Sequence, residues 1–219
     1  MNSVYIVVPA YNEARYLGRF LAKLIPITQR VIVVDDGSRD DTTKIAKQFG
    51  VKVLTHMTNL GKGAALKTGC EYVFTRLKAN AVIIMDGDDQ HDVTDIPKFK
   101  KALEGGAKVV LGVRAMDRDM PLARKVGNRL VSYLIYLLFG RYIADIPSGY
   151  KAFTSDAYRQ LIWNSSGYEV ESEFAVRLSR SKLPYVEVPI RTIYHGKEYG
   201  FNLLDAARIM IKLPLWIWS

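Results

Sequence analysis

Three times within its first ninety residues the chain repeats one device: a short apolar run rich in valine and isoleucine stops abruptly in acidic and turn-forming side chains. Val4–Pro9 leads into Tyr11-Asn12-Glu13, Arg30–Asp35 into Asp36-Gly37-Ser38, and Ala81–Met85 into Asp86-Gly87-Asp88-Asp89-Gln90. Unbroken β-branched runs suit strands covered on both faces of a parallel sheet. The intervals between them have helical spacing. Asn12–Ile25 sets Tyr16, Leu17, Phe20, Leu21 and Leu24 along one face and stops at Pro26. Asp40 or Asp41 is placed to cap a helix running to Phe49 before Gly50. Val51–Thr55 reads as a third strand and Gly63–Leu77 as a further helix.

Strands alternating with helices imply right-handed crossovers and an α/β architecture with a mainly parallel sheet. Such sheets bind ligands outside the carboxyl ends of their strands, so the three polar clusters are expected to face one crevice. The second half is less regular. Val109–Val113 and Val186–Ile190 read as strands, and Leu130–Phe139, Glu171–Ser181 and Leu203–Leu213 as helices. No Pro/Gly/Ser-rich linker separates the halves, which predicts one domain with a C-terminal elaboration.

Composition narrows the partners. With 219 residues, 49% of them hydrophobic, the chain is long enough for a sizeable core, and its charge of +9 calls for an anionic partner. A lone Cys70 excludes an internal disulfide, and no Cys/His cluster has zinc spacing, so a reducing cytosol is the expected setting. The start lacks a basic leader, and no run reaches the roughly 18–20 apolar residues needed to span a bilayer. The longest apolar segment, Leu130–Gly140, follows six basic residues between Lys108 and Arg129 with only Asp117 and Asp119 against them. A basic cluster beside an aromatic-bearing apolar stretch suits either a monotopic contact with an anionic leaflet or a solvated face beside a core helix. The C-terminal Ile209–Trp218, with two tryptophans, suits an interfacial helix, the start of a membrane segment, or a helix docked on the core.

Asp86 and Asp88, one glycine apart on a turn after a strand, can hold a hard cation such as Mg²⁺ or Mn²⁺ that keeps positions for water and phosphate. Gly87 permits close backbone approach, and Asp89 or Gln90 can add an oxygen, although the same residues make an ordinary acidic turn. Asp36 can accept from a nucleobase or ribose while Ser38, Asp40 or Asp41 caps the next helix. Asn59-Leu60-Gly61-Lys62-Gly63 opens a helix, a setting that holds anions, but it has neither Walker A nor dinucleotide-binding spacing.

Taken in order, Val8-Pro9-Ala10-Tyr11-Asn12-Glu13, Val33-Val34-Asp35-Asp36-Gly37-Ser38, Asn59-x-Gly61-Lys62-Gly63 and Asp86-Gly87-Asp88-x-Gln90-His91 resemble the family 2 glycosyltransferases of GT-A fold, in particular the polyprenyl-phosphate branch that includes dolichyl-phosphate mannose synthase. Asp145-x-x-Ser148-Gly149-Tyr150-Lys151-Ala152-Phe153 and Glu187-Val188-Pro189-Ile190 extend the resemblance to about Ile190. It implies a Rossmann-like sheet flanked by helices, with C-terminal interfacial helices. The implied donor residues are Pro9, Tyr11, Glu13, Asp36, Lys62 and Gly87. Asp86, Asp88 and Gln90 would bind the metal and donor diphosphate, with Arg114 near a phosphate. Arg124, Arg129 and Ser132 would grip the acceptor phosphate, and Glu173 matches a family acidic position. Where relatives carry a Gly-x-Ser-Lys lid, this chain has Arg191–Asn202, leaving Arg191, His195 and Lys197 as phosphate contacts.

The resemblance divides the chain into a nucleotide-sugar-binding half at 1–113, an acceptor half at 114–195 and a lid or interfacial helix at 196–219. It implies an inverting, Mg²⁺- or Mn²⁺-dependent transfer of mannose or glucose from a GDP- or UDP-sugar to polyprenyl phosphate, at the cytoplasmic face of a membrane and without nucleic acid. A lipid phosphate is already an anion and needs positioning more than a general base. A hydroxyl acceptor would need a base, for which Asp88, Asp89 and Glu173 are the candidates. Transfer to a soluble glycan and a nucleotide-binding module without catalysis are the alternatives.

Overall fold

The computed structural model describes residues 3–114 and 122–193, the side chains of 122–125 excepted. Seven strands form one sheet in the order β3-β2-β1-β4-β6-β5-β7: β1 Val4–Ala10, β2 Val31–Asp35, β3 Lys52–Thr55, β4 Ala81–Ile84, β5 Val109–Arg114, β6 Lys151–Thr154 and β7 Tyr185–Ile190. All neighbours pair in parallel except β6, which runs antiparallel to both β4 and β5.

Side chains alternate across the sheet and so seed two cores. Ile6, Val8, Val33 and Ile83 pack on one face with Leu17, Phe20, Leu21 and Leu24 of α1 (Ala14–Leu24) and Ile96, Phe99 and Leu103 of α4 (Ile96–Glu104). Val7, Val34, Val82 and Phe153 face α3 (Lys62–Glu71), α5 (Leu122–Phe139), α6 (Ser155–Leu161) and α7 (Val170–Ser181). The four α1 residues are fully buried, each contributing about 1.5–3 kcal/mol by removal from water. The remaining helix, α2, is Thr42–Gln48.

The expected strands and helices of the first half are present within a few residues. The helix expected at Gly63–Leu77 is instead α3 followed by a π-helical turn at Tyr72–Arg76. Three elements lie outside the sequence expectation. α4 was legible in principle, since Ile96, Phe99 and Leu103 have helical spacing behind Pro97 in the first turn. β6 was not: four residues opening on a lysine carry no strand alternation, and its place between β4 and β5 is a long-range pairing. α6 is short, and α5 begins eight residues before the helix expected at Leu130. The helix expected at Leu203–Leu213 lies outside the described residues.

Candidate functional site

The chain passes from β1 to β2 on one side and returns to β4 on the other, so the crevice opens between the carboxyl ends of β1 and β4. The loop after β1 is tied to the loop after β2. Asn12 N donates to Ser38 Oγ at 2.9 Å, Arg39 N to Asn12 Oδ1 at 2.8 Å, and Glu13 N to Thr42 Oγ1 at 2.8 Å. Pro9 is buried within β1, Tyr11 stands 41% exposed at the rim, and Glu13 reaches inward.

The Glu13 side chain has a buried Oε2 without a partner. Burial, followed by repulsion from Asp88, Asp86 and Asp40, raises its pKa to about 7. Four carboxylates from three strand ends thus share one field. Among the described residues no cluster of three or more metal-binding side chains stands complete. Asp86 and Asp88 nevertheless offer hard oxygen donors beside an unpartnered carboxylate oxygen, which fits a cation that completes its coordination with phosphate and water. Gln90 adds a half-buried side chain, while its backbone N donates to Asp88 Oδ1 at 3.0 Å and its carbonyl accepts from Ile193 N at 2.9 Å.

Because its pKa is raised in the folded state, Glu13 binds its proton more tightly folded than unfolded. It therefore lowers stability as pH climbs from the unfolded carboxyl range to about 7. Glu13→Gln is expected to gain stability relative to the parent between about pH 5 and pH 8. Thermal melts of both proteins without divalent cation, compared pH by pH, check this; parallel curves would count against it.

Asp86 is held by cations. Burial opposes its ionisation, but Lys62 foremost, with Lys151 behind it, keeps the carboxyl below its usual range. Lys62 Nζ lies 2.7 Å from Asp86 Oδ1 and 3.1 Å from Glu171 Oε1. Lys151 Nζ contacts Glu171 Oε2 and the Ser148 carbonyl. Burial first, and Lys62 second, lowers the Lys151 pKa to about 7. Lys151 reaches this place because it pairs with Ile84, so β6 brings its first residue to the end of β4. Burial drives His91 down to about 4, and the neutral ring accepts from Asp86 N at Nδ1 over 3.1 Å. The ring stacks on Tyr150, which stacks on Phe99. A Cβ on Gly149 would meet Asp86 Oδ2 at 2.3 Å, so any larger residue there would push this carboxylate aside.

The first turn of α3 sits under the segment 163–167. Trp163 Nε1 donates to the Gly63 carbonyl at 2.8 Å, and Ala64 N donates to the Ser166 carbonyl at 3.1 Å. Tyr168, 76% exposed, lies over Lys62 with Nζ 5.9 Å from the ring centre. A Cβ at Gly63 would stand 2.2 Å from the Ser165 carbonyl oxygen. Gly63→Ala is therefore expected to cost about 1–3 kcal/mol by pushing this backbone away. Denaturant unfolding would read the loss, and an unchanged midpoint would contradict the packing.

Several candidates form the walls. Asp36 is 2% exposed and accepts from Leu60 N at 2.9 Å, Gly61 N at 2.7 Å and the His56 ring, so its carboxylate shapes the loop before α3. Asp89, at φ 61°, turns to α1 and pairs with Arg19 and Lys23. Glu173 is fully buried, accepting from Asn164 N, Ser165 N and Arg177 Nε, and burial is outweighed by these donors, which hold its carboxyl low. It orders the segment above α3. Asp89 and Glu173 accordingly do not present a base to the crevice. Gly87 makes only ordinary contacts at its Cβ position.

The basic candidates separate. Arg114 grips Asp145 through Nε and Nη2, each at 2.8 Å, and Asn128 Nδ2 reaches the same carboxylate at 3.1 Å. Arg129 is exposed on α5, whereas Ser132 is fully buried with its Oγ unpartnered, so the two do not present a common surface. Arg191 is exposed after β7, its backbone N donating to Asp95 Oδ2 at 2.7 Å. The Arg124 side chain, His195 and Lys197 lie outside the described residues. Glu171, Lys151, Gly149 and Tyr168 carry the site without having been singled out; Gly149 and Lys151 fall within the Asp145–Phe153 motif, whose roles depend on pairings the sequence does not display.

The family model for glycosyl transferase family 2 matches residues 5–162. The chain is 32% identical, over 96% of its length and 94% of the relative's, to a UDP-N-acetylglucosamine–dolichyl-phosphate N-acetylglucosaminyltransferase of Methanococcus voltae. It is 30% identical, over 97% and 93%, to an undecaprenyl-phosphate mannosyltransferase of Micrococcus luteus. Glucosyl-3-phosphoglycerate synthase from Mycobacterium tuberculosis, solved with Mg²⁺ and UDP, superposes with a TM-score of 0.77 at 18% identity, covering 98% of this chain and 79% of that one. That likeness is one of fold.

Proposed function

The chain belongs to glycosyl transferase family 2, and on that premise we propose that this glycosyltransferase moves a hexose from a GDP- or UDP-sugar to a polyprenyl phosphate with inversion, aided by Mg²⁺ or Mn²⁺. The observation that carries the reading is the meeting of Glu13, Asp86 and Asp88 beside Lys62 at the β1/β4 crevice of a GT-A fold. The relatives named for dolichyl and undecaprenyl phosphate support the acceptor class.

Residues 1–113 would then serve the donor and 114–195 the acceptor, with 196–219 as a lid or interfacial helix. Tyr11 and Glu13 would border the nucleoside, with Pro9 and Asp36 shaping the loops that hold it. Asp86 and Asp88, with Gln90 adjacent, would hold the cation. When bound, a divalent cation neutralises negative charge developing on the departing nucleoside diphosphate. Lys62, at the start of α3, offers an ammonium to the same phosphates. Arg114, steadied by Asp145, and exposed Arg129 supply positive charge on the acceptor side. The acceptor phosphate is an anion at neutral pH, so the walls need only orient it.

Among the described residues no helix is long and apolar enough to cross a membrane. Contact with a lipid surface is proposed through α5, which exposes Val126, Leu130, Tyr133 and Leu137 along one stripe beside Arg129. A location at the cytoplasmic face of that membrane is part of the same proposal.

The test is a screen of GDP- and UDP-sugars with polyprenyl phosphate, with Mn²⁺ or with chelator, and product identification by mass. A lipid-phosphate hexose formed only with cation is expected. Transfer only to hydroxyl acceptors would overturn the acceptor assignment, and absence of turnover with every sugar would leave a nucleotide-binding module.

A further inference from the structure

We propose that Lys62 is the protein's own counter-ion at the cation site, neutralising Asp86 until cation and nucleotide arrive, and that Glu171 is the second carboxylate that keeps the ammonium when it leaves. The inference deepens the proposed function and rests on its assignment of Asp86 as a cation ligand.

The geometry is an alternating line of charge, Asp86, Lys62, Glu171, Lys151, assembled from the end of β4, the first residue of α3, the first turn of α7 and the first residue of β6. Its members are shielded: side-chain exposure is 23% for Asp86, 13% for Lys62, 11% for Glu171 and 5% for Lys151. Screening by solvent is therefore reduced, and one carboxylate cannot hold an ammonium and a divalent cation at contact distance without strong repulsion between them. A cation reaching Asp86 must displace Lys62. The displacement is short, because Lys62 already touches Glu171 at 3.1 Å, and Glu171 remains compensated by Lys151 through its other oxygen. The α3 backbone stays fixed meanwhile, since Gly63 is clamped beneath the 163–166 segment.

Two consequences distinguish this arrangement from a merely structural ion pair. Divalent cation alone binds against the competition of Lys62. Cation with a nucleoside diphosphate binds with less competition, because phosphate oxygens give the displaced ammonium a new acceptor, and the two ligands assist each other.

Mn²⁺ binding to the whole protein, followed by electron paramagnetic resonance of the free ion with and without UDP, tests the proposal. Lys62→Gln is expected to bind Mn²⁺ about tenfold more tightly than the parent without UDP and to lose most of the mutual assistance with UDP. Lys62→Arg, which keeps the charge, is expected to stay close to the parent. Glu171→Gln is expected to weaken Mn²⁺ binding, because Lys62 then has only Asp86. The double variant is expected to match Lys62→Gln alone, a result that misfolding of Glu171→Gln would not produce. Equal or weaker Mn²⁺ binding by Lys62→Gln, or a Glu171→Gln effect that persists in the double variant, would overturn the proposal. If turnover requires Mn²⁺ while Lys62→Gln binds like the parent, the role of Lys62 falls and the proposed function stands. If no variant binds Mn²⁺ and turnover survives chelation, the cation assignment falls with it.

Discussion

Asp88→Ala is expected to lower glycosyl transfer by roughly a thousandfold, the loss that follows when a few kcal/mol of charge neutralisation at the leaving diphosphate is removed. Asp88 lies on the half-buried turn after β4, accepts from Gln90 N, and belongs to the charge field that raises Glu13. Its neighbour provides the contrast. Asp89 turns away at φ 61° to Arg19 and Lys23, and asparagine tolerates that backbone. Asp89→Asn should therefore cost about 1–3 kcal/mol in stability while most activity survives. Product formation by mass and melting temperature, measured on both proteins, separate the two carboxylates. Full activity in Asp88→Ala would end the cation-site assignment.

The paired substitution Leu130→Glu with Leu137→Glu is expected to weaken sedimentation with anionic phospholipid vesicles by at least about a hundredfold, since two leucines lose their burial in the interface. Both side chains are more than half exposed, at 55% and 61%, so the folded protein should melt near the parent temperature. Turnover with a short, water-soluble polyprenyl phosphate should persist, because neither residue borders the β1/β4 crevice. Unchanged vesicle binding would remove α5 from the membrane contact.

Much of the donor side was legible from sequence because its signals are local. A valine-rich run followed by a polar cluster announces a strand end, and parallel order then places the clusters after β1, β2 and β4 together. The acceptor side was less so. Arg129 and Ser132 look alike as candidates along the chain, yet α5 turns one to solvent and buries the other.

Residue order alone determined the alternation of strands and helices, the sheet class and the three carboxylate-bearing ends, because these follow from side-chain period and backbone preference. Tertiary structure decided which carboxylate serves which purpose. Asp36, Asp89 and Glu173 are acidic residues in motif positions like Asp86 and Asp88, but backbone donors, a left-handed turn and an arginine one helical turn away hold them in the walls. It also decided that Lys62 stands between Asp86 and Glu171, two carboxylates 85 residues apart in sequence. The physical reason is that a charge is defined by its nearest partner. Here that partner depends on the antiparallel insertion of β6 and on the close seating of α3 beneath the 163–167 segment, neither of which a local pattern encodes.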